Sequence, residues 1–85
     1  MTYRIEWKRS AQKELRQLPR AIHVRIIGAV ELLADDPYPS GIRKLAGAEY
    51  TYRLRVGDYR VIYSVDDNIL VIEIVRVAHR KDAYR

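Results

Sequence analysis

The sequence predicts an α+β fold, in the order β-α-α-β-β-β, in which a helical hairpin packs on one face of an antiparallel sheet. Three observations predict it. An alternating apolar pattern opens the chain, helical periodicity follows over residues 11–33, and alternation returns after residue 50. The segment 35–41, Asp-Asp-Pro-Tyr-Pro-Ser-Gly, separates the last two patterns because its prolines and glycine cannot continue a helix. With 85 residues, the chain is predicted to form one domain, residues 1–85.

The first third of the chain is predicted to form a strand and two helices. Alternation over residues 2–8 is typical of a half-buried strand, whose inward side chains are Tyr3, Ile5 and Trp7. We expect Ser10 to cap the first helix and Pro19 to end it. The second helix has the strongest pattern, because its apolar residues recur at i, i+4, i+7, i+8 and i+11 from Ile22.

Three further strands are predicted near residues 50–56, 59–65 and 69–77. The two-residue turn Gly57-Asp58 pairs Arg55 with Arg60, and alternation then assigns each side chain to a face. The predicted core face holds Tyr52, Leu54, Val56, Tyr59, Val61 and Tyr63. The opposite face holds Arg53, Arg55 and Arg60. In the second turn, Asp66 and Asp67 are expected to accept hydrogen bonds from backbone N–H groups.

The three arginines on one sheet face are the most informative part of the pattern. Like charges directly opposite on a sheet repel, so the arrangement destabilises the sheet unless an anion neutralises it. Two alternatives stay open: Glu73 pairs with the arginines, or their long side chains only cover the exposed sheet. The net charge of +5, with twelve of sixteen cations being Arg, favours a nucleic acid or another acidic partner, although excess charge also serves solubility.

The C-terminal segment adds candidate catalytic residues. His79 is a candidate proton carrier, because histidine is the residue type whose reference pKa, about 6.5, lies nearest neutral pH. Arg80 can bind phosphate, and Tyr84 can stack on a base. The alternative for this segment is a frayed basic tail without a role in chemistry.

Composition excludes several classes of protein. Without cysteine, the chain has no disulfide or Cys-ligated zinc, and two lone histidines cannot form a structural metal site, so we expect no metal or cofactor. No apolar run approaches the roughly 20 residues of a membrane span, and charges stand where a signal peptide has its apolar stretch. We therefore expect a cytoplasmic protein with no membrane partner.

Three segments resemble the RelE branch of the RelE/ParE toxin superfamily, and the similarity covers nearly the whole chain. They are Lys44-Leu45-Ala46-Gly47, the run 52–63 with its Arg-x-Gly-Asp-Tyr-Arg-Val-x-Tyr motif, and the ending 77–84 with its His-Arg-x-x-x-Tyr pattern. The resemblance implies a compact microbial RNase fold. It also implies a toxin of a type II toxin–antitoxin system, an endoribonuclease that cleaves mRNA in the ribosomal A site, inhibits translation and arrests growth.

The resemblance also implies roles for individual residues. By position, Arg60 resembles the family's phosphate-binding arginine, whereas Arg80 and Tyr84 resemble its C-terminal catalytic arginine and tyrosine. The predicted catalytic set is Arg60, Arg80, Tyr84 and His79. The predicted RNA- and phosphate-binding set is Arg53, Arg55, Lys44 and Lys81. The family often has lysines at the positions of Arg53 and Arg55, and no glutamate of this chain matches the catalytic glutamate of some relatives.

The implied reaction is metal-independent cleavage in which the 2′-hydroxyl of the RNA attacks the adjacent phosphorus. The implied partners are mRNA on the ribosome and a cognate RelB-like antitoxin, and DNA is contacted only indirectly, through the antitoxin complex. Three alternatives stay open. They are a ParE-like inhibitor of DNA gyrase, a non-catalytic nucleic-acid-binding module, and a degenerate toxin that survives only as a component of a complex.

Overall fold

A computed structural model describes residues 2–81 and confirms the α+β class. The elements are β1 (Arg4–Trp7), α1 (Arg9–Arg16), α2 (Arg20–Leu33), β2 (Arg43–Lys44), β3 (Thr51–Val56), β4 (Tyr59–Asp66) and β5 (Val71–His79). The five strands form one sheet in the order β1-β5-β4-β3-β2. The sheet is mixed rather than wholly antiparallel, because β1 runs parallel to β5, and the two-residue strand β2 extends it beyond β3.

Both helices begin without a side-chain cap. The predicted cap at Ser10 is wrong, because α1 begins at Arg9 with Lys8 in the N-cap position. The Lys8 N–H still donates to the Ile74 carbonyl of β5 at 2.9 Å, so the chain passes from strand to helix within one residue and leaves Ser10 inside the helix. Pro19, as predicted, separates the helices: its φ of −54° suits the start of α2, and its carbonyl accepts the first helical N–H groups.

The core lies between the helices and one face of the sheet. Its fully buried side chains are Ala11, Ile26, Val61, Tyr63, Ile72 and Ile74. The Tyr63 hydroxyl, buried with its ring, donates a 2.7 Å hydrogen bond to the Pro37 carbonyl, which anchors the loop between α2 and β2 against the sheet. No helix among residues 2–81 is long and apolar enough to cross a membrane.

The turn after β4 confirms one aspartate prediction and corrects the other. The Asp66 carboxylate accepts a hydrogen bond from the Asn68 N–H at 3.0 Å, as expected of an Asx turn. Asp67 instead accepts hydrogen bonds from the hydroxyls of Tyr3 and Tyr38. It therefore ties the start of the chain and the α2–β2 loop to the sheet rather than satisfying backbone donors.

The predicted register of the central hairpin is confirmed, because Arg55 lies opposite Arg60 and the pairing continues from Val56–Tyr59 to Tyr52–Tyr63. Gly57 has a φ of +60°, and Asp58 does not have a positive φ, so the turn is of the II′ kind that matches the twist of two-residue hairpins. β5 begins two residues later than predicted and reaches His79. The extra length pairs His79 with Tyr59 and so brings the C-terminal segment to the hairpin turn.

Candidate functional site

The sheet face opposite the helices carries Arg53, Arg55 and Arg60, and we call it the arginine face. Arg55 and Arg60 are direct cross-strand partners, and Arg53 lies one pleat further along β3, opposite Ile62. β2 adds Arg43, which pairs with Arg53 and therefore shares this face. Four guanidinium groups thus lie on three neighbouring strands.

Arg60 lies in the field of the other arginines. Burial lowers the pKa of Arg60, and the positive charges of Arg55, Arg53 and Arg80 lower it further, while Asp58 partly offsets them. Within residues 2–81, neither Arg55 nor Arg60 forms an ion pair with a carboxylate. Arg55 and Arg60 therefore concentrate positive charge that Asp58 offsets only in part.

The proposed neutralisation by Glu73 does not occur at Arg60. Glu73 pairs with Ser64, four residues along β4 from Arg60, which is about 13 Å at the rise of a strand. Glu73 and its β1 partner Glu6 lie at the opposite end of the same face. On the arginine face, Arg55 and Arg60 therefore lie towards the β3–β4 turn, whereas Glu6 and Glu73 lie towards the β4–β5 turn, where Glu6 forms an ion pair with Arg4.

The covering role of the arginine stems is also present. Ile62 lies between Arg53 and Arg76 in the register and is only 9% exposed. Ala78, opposite Arg60, is likewise 9% exposed, although neither residue belongs to the core against the helices. Their neighbours across the strands are arginines, and long arginine stems can cover apolar surface while the charged ends reach solvent. Shielding and anion binding are therefore compatible.

Arg80 is brought to the cluster by a backbone contact. Its N–H donates to the Asp58 carbonyl at 2.7 Å, which fixes the segment after β5 against the β3–β4 turn. The influence of Arg80 on the pKa of Arg60 follows from this position. Lys81 follows it in an exposed turn. Tyr84, the remaining predicted catalytic residue, lies outside the described residues.

Two predicted site residues lie on the other face of the sheet. His79 pairs with Tyr59, and the two rings meet edge to face with centroids 5.3 Å apart, on the side of the core. The His79 Nδ1 atom accepts a hydrogen bond from the Lys81 N–H at 3.3 Å. Lys44 pairs with Tyr52 and shares its face. The structure therefore does not bring His79 or Lys44 to the arginine face.

Two arginines of this face escaped the sequence analysis. Arg43 lies in a strand of two residues, which is too short to give an alternating pattern, and its place opposite Arg53 emerges only from the pairing of β2. Arg76 pairs with Ile62, and its guanidinium lies 3.6 Å from the Glu14 carboxylate of α1. Arg76 lies inside the strand predicted near residues 69–77, so its residue type in that strand was an available signal, whereas Arg43 lies outside every predicted strand and gave none.

Comparison with known proteins identifies the family. The family model described as ParE toxin of type II toxin-antitoxin system, parDE, matches residues 5–84. The chain belongs to the RelE/ParE toxin family. Among relatives of this toxin, RelG of Mycobacterium tuberculosis is 35% identical over 100% of the chain and 99% of its own length. Toxin RelE of the same organism is 31% identical over 98% of the chain and 87% of its own length.

Solved structures of relatives agree with the fold. The RelE–RelB complex of Pyrococcus horikoshii OT3 contains a chain that is 38% identical, with a TM-score of 0.85 and coverage of 98% of this chain and 100% of that one. That relative was crystallised with RelB. The family model carries the ParE name, whereas these relatives are RelE-type toxins. The chain is accordingly a RelE-type toxin of a type II toxin–antitoxin system.

Proposed function

We propose that this RelE-type toxin is an endoribonuclease that cleaves mRNA in the ribosomal A site, using the 2′-hydroxyl of the substrate as nucleophile and no metal ion. The observation that supports the proposal is the clustering of Arg53, Arg55 and Arg60 on one sheet face with Arg80 beside them, where the positive charges of the other arginines act on Arg60. Attack of a 2′-hydroxyl on phosphorus places extra negative charge on the phosphoryl oxygens, and preorganised guanidinium groups stabilise that charge.

The arginines divide the electrostatic work by position. Arg60, in the centre of the field, contacts the scissile phosphate, while Arg53 and Arg55 hold its oxygens and the neighbouring backbone. Arg80, fixed at the turn, stabilises the leaving 5′-oxygen. A guanidinium group does not give up its proton in proteins, so the role of Arg80 is electrostatic. Tyr84 stacks on or orients the reacting nucleotide, as the family resemblance implies.

The position of His79 disfavours the proton role that the sequence suggested. Its ring packs on Tyr59, on the face away from Arg60. We expect His79→Ala to cleave ribosome-bound mRNA within a few-fold of the wild-type rate in a single turnover. A loss approaching that of Arg60→Ala would restore His79 as a proton carrier.

The antitoxin is the second proposed partner. The Pyrococcus relative binds RelB, and a cognate RelB-like antitoxin that covers the arginine face would supply carboxylates to it and exclude RNA. DNA would then be contacted only through the antitoxin. Lys44 and Lys81, which lie off the arginine face or in the exposed turn after β5, are proposed to contact RNA outside the scissile phosphate.

The test is induced expression followed by primer extension on a known mRNA. The wild type is expected to give cuts in phase with codons, and Arg60→Ala/Arg80→Ala is expected to give none. The matched control is Arg4→Ala/Arg20→Ala, which removes two exposed arginines outside the cluster and should cut like the wild type. Cuts that persist in the Arg60/Arg80 variant would refute the site assignment.

The second candidate function, inhibition of DNA gyrase, is favoured by the name of the family model, which is ParE. If the toxin inhibits gyrase and is not an RNase, purified gyrase loses supercoiling activity in its presence, and mRNA on translating ribosomes stays intact. The arginine cluster favours the RNase, since gyrase inhibition requires no stabilisation of a charged phosphorus centre.

A further inference from the structure

The exposed face of α1 carries a row of cations that the proposed active site does not use. Arg9, Lys13 and Arg16 stand at i, i+4 and i+7, within an arc of about 60° on a helix of 3.6 residues per turn. Ala11 and Leu15, the buried residues of α1, face the opposite side. We call Arg9, Lys13 and Arg16 the cationic face of α1. It extends for about 10 Å along the helix axis.

This row is electrostatically unfavourable in the free helix. Arg9 and Lys13 at i, i+4 repel each other, as do Lys13 and Arg16 at i, i+3. Arg9 also stands in the first turn, where the helix dipole favours acidic residues, and the first turn of α1 contains none. The dipole does favour Lys13 and Arg16, which lie in the last turn. The helix dipole therefore accounts for Lys13 and Arg16 but not for Arg9.

The chain does not neutralise this face within residues 2–81. Glu14 is the only carboxylate of α1, and it points to β5, where it accepts a hydrogen bond from the Val77 N–H at 2.9 Å and contacts Arg76. The described ion pairs include none of Arg9, Lys13 or Arg16. These three cations are exposed and available to a partner.

We infer that the cationic face of α1 binds the phosphate backbone of RNA, as a second contact separate from the arginine face. A protein partner fits it poorly, because protein interfaces have an apolar centre and the exposed large apolar side chains of this molecule lie outside α1. A row of cations without apolar residues suits a phosphate backbone, which every RNA sequence presents.

The two RNA contacts lie on different sides of the molecule. α1 packs on the sheet face opposite the arginines and turns its cations away from the sheet. A single RNA segment cannot readily contact both the arginine face and the cationic face of α1. The cationic face therefore suits a second RNA segment. Given the proposed ribosomal target, on which this step rests, that segment is ribosomal RNA, and the two contacts together strengthen binding as linked sites do.

The test compares Arg9→Gln/Lys13→Gln with the control Arg4→Gln/Arg20→Gln, which removes the same charge from exposed positions elsewhere. Binding is measured to ribosomes that carry an mRNA with a 2′-O-methylated A-site codon, which blocks the proposed nucleophile, and to the same mRNA free in solution. At 0.1 M salt the α1 variant is expected to bind ribosomes about tenfold or more weakly, and its salt slope to fall by about two. The control should change less than twofold.

Each outcome decides the inference. Loss on ribosomes alone supports the contact with ribosomal RNA, whereas an equal loss on free mRNA would overturn it, because the cationic face would then bind flanking mRNA. Unchanged binding to both overturns the inference, as does weaker binding to the antitoxin with unchanged RNA affinity. The variant Arg9→Lys/Lys13→Arg, which keeps the charges, should bind like the wild type. The assay measures binding and not cleavage. Its result can therefore be interpreted even if the toxin does not cleave mRNA.

Discussion

Arg60→Met is predicted to stabilise the free toxin while abolishing cleavage. Methionine keeps an unbranched apolar stem over Ala78 but removes the charge that Arg55, Arg53 and Arg80 oppose. The matched control is Arg60→Lys, which keeps both a long stem and the charge. The comparison of the two variants therefore isolates the electrostatic part of the arginine cluster from its packing.

The magnitude follows from the register. Arg55 and Arg60 are direct partners, with Cβ atoms about 5 Å apart, and their long side chains can separate the charges to about 8 Å. At an effective dielectric constant of about 40 to 80, the repulsion at that distance is about 0.5–1 kcal/mol. Arg53 and Arg80 are more distant and add less, and the attraction of Asp58 offsets part of this addition. The expected gain for Arg60→Met over Arg60→Lys is therefore about 1 kcal/mol, or roughly 4–8 °C in Tm for a chain of this size.

Thermal unfolding at low salt and at about 0.5 M salt is the decisive assay. The gain should be present at low salt and nearly vanish at high salt, where the Debye length falls to about 4 Å. Equal Tm values for the Met and Lys variants at low salt would refute the claim that the cluster is under electrostatic strain. A gain that persists at high salt would assign the effect to the apolar side chain instead.

Three further changes test other parts of the structure. Tyr63→Phe removes the donor to the buried Pro37 carbonyl and should lower the free energy of unfolding by about 1–2 kcal/mol in urea titrations. Glu14→Ala should destabilise more than Glu14→Gln, since Gln keeps an acceptor for the Val77 N–H, and equal losses would exclude that bond as the cause. Hydrogen bonds from two tyrosines lower the pKa of Asp67, so its contribution is full above pH of about 4 and is lost as pH falls through the lower folded pKa; Asp67→Asn should flatten the acid limb of the stability profile.

The arginine face was predictable because its cause is local. A turn of two residues, with Gly57 at its first position, fixes the register of the hairpin. Alternation along β3 and β4 then determines on which face of the sheet each side chain lies. Nothing distant in the chain is needed to place Arg55 opposite Arg60. The same locality explains why the helix boundary at Pro19 was predictable from a single residue.

The parallel pairing of β1 with β5 was not predictable in this way. It joins residues 4–7 to residues 71–74, and no turn between them encodes the pairing. The missing cap at Ser10 has a related cause, because the bond from Lys8 to Ile74 of β5 determines where β1 gives way to α1. Tertiary contacts there override a local preference that, taken alone, places the cap later.

A single irregularity in β5 decides which C-terminal residues reach the arginine face. The core residues Ile72 and Ile74, extended by strict alternation, would place Arg76 in the core and His79 on the arginine face. The register instead shifts at Val75, because Ile62 pairs with Arg76 while Tyr63 pairs with Ile74. One extra residue moves each side chain that follows to the opposite face of the sheet. The bulge therefore sends Val77 into the core and Arg76 to the arginine face, and it removes His79 from that face. The electrostatic assignment for Arg80, which reaches the cluster through a backbone bond at the hairpin turn and not through alternation, is independent of this exchange.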